Sequence, residues 1–102
     1  MRPKKNRCVK CSPGVTYFKP RGTPLVRLEE VTLTLSGLEA LRLADHMGLS
    51  HEEAGKSMNV SRATFGRILE KARKNVAEAL LYGKAIKIEV GQYAIKSGGS
   101  ND

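Results

Sequence analysis

Tryptophan is absent from the chain, and Tyr17, Phe18, Phe65, Tyr82 and Tyr93 are its only aromatic residues. A folded interior must therefore come mainly from Leu, Val, Ile and Ala, and the 40% hydrophobic fraction is enough for one. Two cysteines, Cys8 and Cys11, are too few for a disulfide framework, and in a cytoplasmic setting they are expected to stay reduced. No apolar run approaches the roughly 20 residues of a membrane-spanning helix. The basic N-terminus is not followed by the apolar stretch of a secretory signal. The expectation is a cytoplasmic protein with no membrane partner. Its 102 residues suit one domain, large enough to bury a modest core unaided.

Acidic residues are missing from the first 27 positions, which carry Arg2, Lys4, Lys5, Arg7, Lys10, Lys19, Arg21 and Arg27. These eight charges match the whole net charge of +8. Residues 28–60 are acidic on balance, with Arg42 and Lys56 against Glu29, Glu30, Glu39, Asp45, Glu52 and Glu53. Residues 61–74 turn basic again, with Arg62, Arg67, Lys71, Arg73 and Lys74 against Glu70. Two basic patches separated by an acidic scaffold suit a polyanionic partner better than a uniformly charged surface does. The competing reading is a solvated surface with a disordered tail.

Along the chain, residues 1–14 read as a mobile basic arm, and Val15–Lys19 alternates as a short strand stopped by Pro20. Residues 25–35 mix apolar and β-branched positions, which predicts a short turn or helix near 25–30 and then an extended lead-in. Ser36-Gly37-Leu38-Glu39 has the form of a capping box opening a helix to about Met47, with a stop at Gly48. Ser50-His51-Glu52-Glu53 repeats the box before a short helix to Met58, with Ala54, Gly55 and Met58 inward. Asn59 suits a left-handed position, Val60 points inward, and Ser61 caps the next helix. In that helix Phe65, Ile68, Leu69, Ala72, Val76, Ala79 and Leu80 form one apolar face, running to about Tyr82 with a stop at Gly83. Ala85–Val90 alternates as a half-buried strand that could pair with Val15–Lys19. Gln92–Asp102 reads as a flexible tail.

The segment His51–Ile68 meets the demands of a helix-turn-helix together. Gly55 is small where two helices cross, Asn59 tolerates the turn, and Met58, Val60, Phe65 and Ile68 supply the apolar contacts. Ser61-Arg62-Ala63-Thr64 gives the short polar start that enters a major groove. Arg62 and Arg67 can each fork onto guanine O6 and N7, or hold phosphate, the commoner contact. Ala63 can touch a thymine methyl. Ser61 and Thr64 suit caps, phosphate ligands or base readers. Gly66 removes a side chain from the exposed face. Lys71, Arg73 and Lys74 suit phosphate or solvent, and Arg2, Lys4, Lys5 and Arg7 of the arm a minor groove or phosphate track.

Cys8-Val-Lys-Cys11 has the spacing of half a zinc site, but the two histidines, His46 and His51, lie at helix ends away from it. A dimer pooling two such pairs, or a redox-sensing pair, is the alternative for these cysteines. Glu52-Glu53 suits a helix dipole rather than an acid–base dyad. No Ser/His/Asp set or glycine-rich phosphate loop is present, so no enzyme and no cofactor are expected.

The strings Val15-Thr-Tyr-Phe-Lys-Pro20, Gly22-x-Pro24-Leu25, Leu28-Glu-Glu-Val31, Leu33-Thr-Leu35 and Leu38-Glu-Ala-Leu-Arg-Leu-Ala-Asp45 carry a resemblance to a known family. So do Gly48-Leu-Ser50, Glu52-Glu-Ala54, Val60-Ser-Arg-x-Thr-Phe-Gly-Arg-Ile-Leu69, Ala72-Arg73, Val76-Ala77 and Ala79-Leu80. The chain resembles the domain of unknown function 134 family of small bacterial and archaeal proteins, described as predicted DNA-binding proteins. Residues 34–76 are also similar to the fourth region of sigma factors and related regulators. That resemblance implies a helical DNA-binding domain whose second helix enters the major groove.

The expected fold is mainly α: a three-helix helix-turn-helix domain over residues 15–90 with a small β element from its N- and C-terminal segments. The arm of residues 1–14 precedes it and a tail of residues 91–102 follows. The expected function is sequence-specific binding of double-stranded DNA in transcription regulation, as a homodimer, since one short helix reads few base pairs. The alternatives are a protein-interaction adaptor that contacts the transcription machinery and a cysteine-based metal or redox sensor.

Overall fold

A computed structural model describes residues 8–89. In chain order its elements are β1 (Tyr17–Phe18), β2 (Glu30–Thr34), α1 (Leu35–Leu41), α2 (His51–Met58), α3 (Arg62–Tyr82) and β3 (Ala85–Glu89). A 3₁₀ turn at Leu25–Arg27 precedes β2, and a wider π turn at Arg42–His46 prolongs α1. The result is three helices with a small three-stranded sheet.

The sheet has the order β1-β3-β2, with the last strand in the middle. β3 pairs antiparallel with β1, placing Tyr17 opposite Lys87 and Phe18 opposite Ile86. This is the pairing the alternation suggested. β2 pairs parallel with β3, with Val31 opposite Ile86 and Leu33 opposite Ile88. The extended lead-in expected before α1 is thus a full strand. Val31 and Leu33 are buried, whereas Glu30 and Thr32 face out. This period-2 pattern is that of a strand covered on one side.

β2 runs into α1 without a loop. Thr34, at φ −71° and ψ 158°, is the cap: its Oγ1 accepts a hydrogen bond from Gly37 N at 2.9 Å. The capping box expected at Ser36 and Glu39 does not form. Ser36 is already helical, and Glu39 is fully buried with other partners. Gly37 lets α1 approach α3 closely, since a Cβ there would lie 3.2 Å from Ala72 Cβ and from Leu33 Cδ1.

The second half follows the local signals. Ser50 and Glu53 form the reciprocal capping box of α2. Asn59 closes α2 at φ 61°, and Val60 N donates to Gly55 O at 2.9 Å. Ser61 caps α3, which ends at Gly83 with φ 65°. Gly55 is required by the crossing, because a Cβ would sit 3.0 Å from Val60 O.

α3 joins two apolar cores. Its first half contributes Phe65 and Leu69 to a cluster with Ala40, Leu43, Ala54 and Met58. Further along, Ala72 packs with Leu33, Leu35, Ile88 and Val9. The apolar face ends at Ala79: Leu80 is 76% exposed, contrary to the continuous stripe read from spacing. Met47, at the expected end of the first helix, is also exposed and accepts a hydrogen bond from Arg42.

Residues 8–11, expected to belong to a mobile arm over 1–14, are instead tied to the fold. Cys8 N donates to Met58 O at 3.0 Å, satisfying a carbonyl left open by the end of α2. Val9 is buried, and Lys10 N and Cys11 N both donate to the Glu39 carboxylate at 3.2 Å. Arg2, Lys4, Lys5 and Arg7 lie outside the described residues, as does the expected tail.

Candidate nucleic-acid interface

The leading turns of α3 carry the candidate surface. Phe65 and Leu69 hold the inner face against α1 and α2. Arg62, Ala63, Arg67, Glu70, Lys71 and Lys74 are all exposed on the other side. The helix is fixed at its start by Ser61, whose Oγ accepts from Thr64 N at 3.1 Å and donates to Thr64 Oγ1 at 3.0 Å. Thr64 Oγ1 also accepts from Arg67 Nη2 at 3.3 Å. Ser61 and Thr64 are therefore engaged as cap and arginine support, while Arg62, Ala63 and Lys71 are exposed.

Gly66 lies between these groups. A Cβ there would meet only His51 Nδ1, at 3.9 Å, which is ordinary contact. Packing does not demand glycine here, yet a helix-interior glycine costs about 1 kcal/mol relative to alanine. Beneath it, His51 at the start of α2 packs edge-on against Phe65, with ring centroids 5.4 Å apart. The helix-end histidine thus serves packing.

Arg73, expected to meet phosphate or solvent, is instead paired. It binds the Asp45 carboxylate through Nη2 and Nε at 2.6 and 3.1 Å. The hydrogen bond to Arg73 and its charge hold Asp45 below the ordinary aspartate range. Lys71 and Lys74 form no ion pair among those described.

A cleft of about 270 Å³ runs beside this face, between α3 and the junction of β2 with α1. Arg67, Lys71 and Asn75 line it from α3, facing Thr34, Ser36 and Gly37. Spacing along the chain gave no sign of this feature, because its two walls lie about 30 residues apart.

Cys8 is exposed and Cys11 half-buried, both with free thiols. Burial, followed by the neighbouring Glu39 carboxylate, pushes the Cys11 thiol up to about 11. Among the described residues no three His, Cys, Asp or Glu side chains gather as a metal set. Glu39 is the buried anchor of this region: Arg42 Nε and Nη2 each donate to it at 2.8 Å. Burial alone would raise its pKa, but Arg42, Lys10 N and Cys11 together hold it below the ordinary glutamate range. No helix among the described residues is long and apolar enough to cross a membrane.

Residues 1–96 match the family model described as "Protein of unknown function DUF134". The chain is 63% identical over 92 residues to a UPF0251 protein of Desulfosudis oleivorans, covering 90% of this chain and 67% of that one. It is 54% identical over 94 residues to a UPF0251 protein of Caldanaerobacter subterraneus subsp. tengcongensis, covering 92% and 80%. A UPF0251 protein of Prosthecochloris aestuarii is 51% identical over 90 residues, 88% of this chain but only 58% of that longer one. No solved structure matches significantly. The strings around Tyr17–Pro20 and Thr64–Arg67 thus sit within a match that spans almost the whole chain, and the chain belongs to the DUF134 family, whose relatives here are UPF0251 proteins.

Proposed function

We propose that this chain binds double-stranded DNA sequence-specifically, with α2, the Asn59 turn and α3 acting as a helix-turn-helix, and that it regulates transcription. The observation that carries this reading is the exposed, arginine-bearing face at the start of a firmly seated α3. Arg62 and Arg67 are open to solvent, and no part of the described chain covers them. The inner face of the same helix is buried at Phe65 and Leu69, so the outer face is presented in a fixed orientation. A first turn of Ser61, Arg62, Ala63 and Thr64 combines a cap with short side chains and a forked donor, as insertion into a major groove requires.

In this reading Arg62 and Ala63 meet base edges, and Arg67 stands beside them, supported by Thr64. Lys71 meets the sugar–phosphate backbone, and Arg2, Lys4 and Lys5 extend the basic surface to a neighbouring groove. A homodimer supplies the second half-site. The chain is then a binding protein rather than an enzyme, with no cofactor in its activity.

Selection of bound fragments from random duplex DNA, followed by titration across salt, tests the proposal. Selected duplexes should bind more tightly than random ones, with affinity falling steeply as salt rises. Arg62→Ala should lower affinity and relax base preference, and Arg67→Ala should lower affinity. Failure to enrich any sequence, with Arg62→Ala binding like wild type, would instead favour an adaptor that contacts the transcription machinery through protein surfaces.

A further inference from the structure

We propose that the cleft between α3 and the β2–α1 junction is a phosphate-binding pocket, in which Lys71 and Arg67 supply the charge and Ser36 a hydroxyl donor. Three observations converge. Arg67 and Lys71 lie one helical turn apart on α3, and both line the cleft. At this i,i+4 spacing their Cβ atoms are about 5–6 Å apart, close enough for both side chains to reach one anion. None of the lining residues carries a carboxylate, although the chain has ten acidic residues. The cations therefore meet no competing anion inside the cleft.

Ser36 is the independent observation. It is 1% exposed, it lines the cleft, and its Oγ has no hydrogen-bond partner among the described residues. Buried hydroxyls are normally paired, and an orphan points to a missing partner. A phosphate oxygen seated between Lys71 and Ser36 is such a partner, since a serine hydroxyl donates and a phosphate accepts. The opposite flank of the candidate interface is less suitable, because α2 opens with the exposed carboxylates Glu52 and Glu53.

The phosphate can come from the backbone of a duplex lying on α3 or from a free phosphorylated small molecule. The first source rests on the DNA-binding reading and extends it, placing a backbone clamp beside the reading turn. The second does not rest on it: occupancy would draw Arg67 toward the cleft and away from a duplex.

The test is a backbone-amide NMR titration of the full chain with inorganic phosphate and, separately, with a duplex of selected sequence. Lys71→Gln and Lys74→Gln are compared with wild type, Lys74 being an exposed lysine of α3 outside the cleft. The proposal expects saturable shifts at Ser36, Gly37 and Lys71 with inorganic phosphate, weakened at least fivefold by Lys71→Gln and little by Lys74→Gln. Where the source is the duplex, phosphate competes with it and Lys71→Gln lowers its salt slope by about one. Where the source is a small molecule, phosphate still fills the cleft but duplex affinity is insensitive to Lys71→Gln.

Equal weakening by the two lysine substitutions would overturn the proposal, leaving only diffuse attraction. Duplex-induced shifts confined to residues 61–67, with none from phosphate, would overturn it while leaving DNA binding standing. Cleft shifts with phosphate but no duplex binding at any salt would keep the pocket and sink the DNA reading. Ser36→Ala guards against misfolding as an explanation: it should keep the native spectrum yet bind phosphate less tightly.

Discussion

Arg73 reaches from α3 to Asp45 in the turn after α1, closing a two-pronged ion pair across 28 residues of sequence. Both side chains are about half exposed, so the pair adds little to the stability of the fold. Its larger effect is to neutralise a cation beside the proposed DNA surface. Asp45→Asn should cost little in denaturant unfolding but raise duplex affinity at low salt, because it releases Arg73 and removes a negative charge. An unchanged or weaker duplex affinity would place Arg73 away from the bound DNA.

Gly66→Ala separates stability from binding. The added Cβ meets nothing closer than His51 Nδ1 at 3.9 Å, so the fold should gain about 0.5–1 kcal/mol from better helix propensity. The methyl group would stand on the face proposed to approach DNA, and affinity should fall. A variant that is more stable and binds equally well would show that no surface comes close to this position.

The buried Glu39 predicts an acid sensitivity. Its native pKa lies below the ordinary glutamate value of about 4.3. The stability it contributes is fully present above that value and disappears as pH falls through the lower native one. Arg42→Ala leaves the carboxylate buried with only the amides of Lys10 and Cys11 and the Cys11 thiol as partners, and should destabilise by about 3 kcal/mol. Urea unfolding at pH 7 and in the acid range checks both statements, and Glu39→Gln should flatten the acid limb.

Cys11 should be the slower of the two thiols to react. With its pKa raised to about 11, it is almost wholly protonated at neutral pH, and the thiolate is the nucleophile. Alkylation followed by mass spectrometry should modify the exposed Cys8 first. Preferential labelling of Cys11 would revive a redox-sensing role for this pair.

Ser36→Ala should stabilise the free protein, since it removes a buried hydroxyl without a partner among the described residues, a burden of about 1–3 kcal/mol. Thermal unfolding without added anions gives the sign. A loss of stability would mean that the hydroxyl already has a bound partner in solution.

The helical half of this fold could be read from residues alone because its signals are local. Ser50 with Glu53, Asn59, Ser61 and Gly83 each act within one turn of their place in the chain. The same local logic failed at Ser36 and Glu39. Thr34, two residues earlier, does the capping, and Glu39 is used by Lys10 and Cys11, 29 and 28 residues away. β2 was hard to recognise because five residues with two buried positions also suit a loop leading into a helix. For the candidate interface, helical period identified the exposed arginines of α3. It did not reveal that Arg73 is neutralised or that Arg67 and Lys71 share a cleft with Ser36, because both relationships depend on where α1 packs.

The placement of β3 at the centre of the sheet has a consequence for biosynthesis. A ribosome delivers β1 and β2 long before the strand that must lie between them. Until residues 85–89 emerge, the two earlier strands have no neighbour to bond, whereas α1, α2 and most of α3 can already gather around Phe65. The helical unit should therefore compact while the chain is still tethered, and the sheet should close only once β3 has emerged.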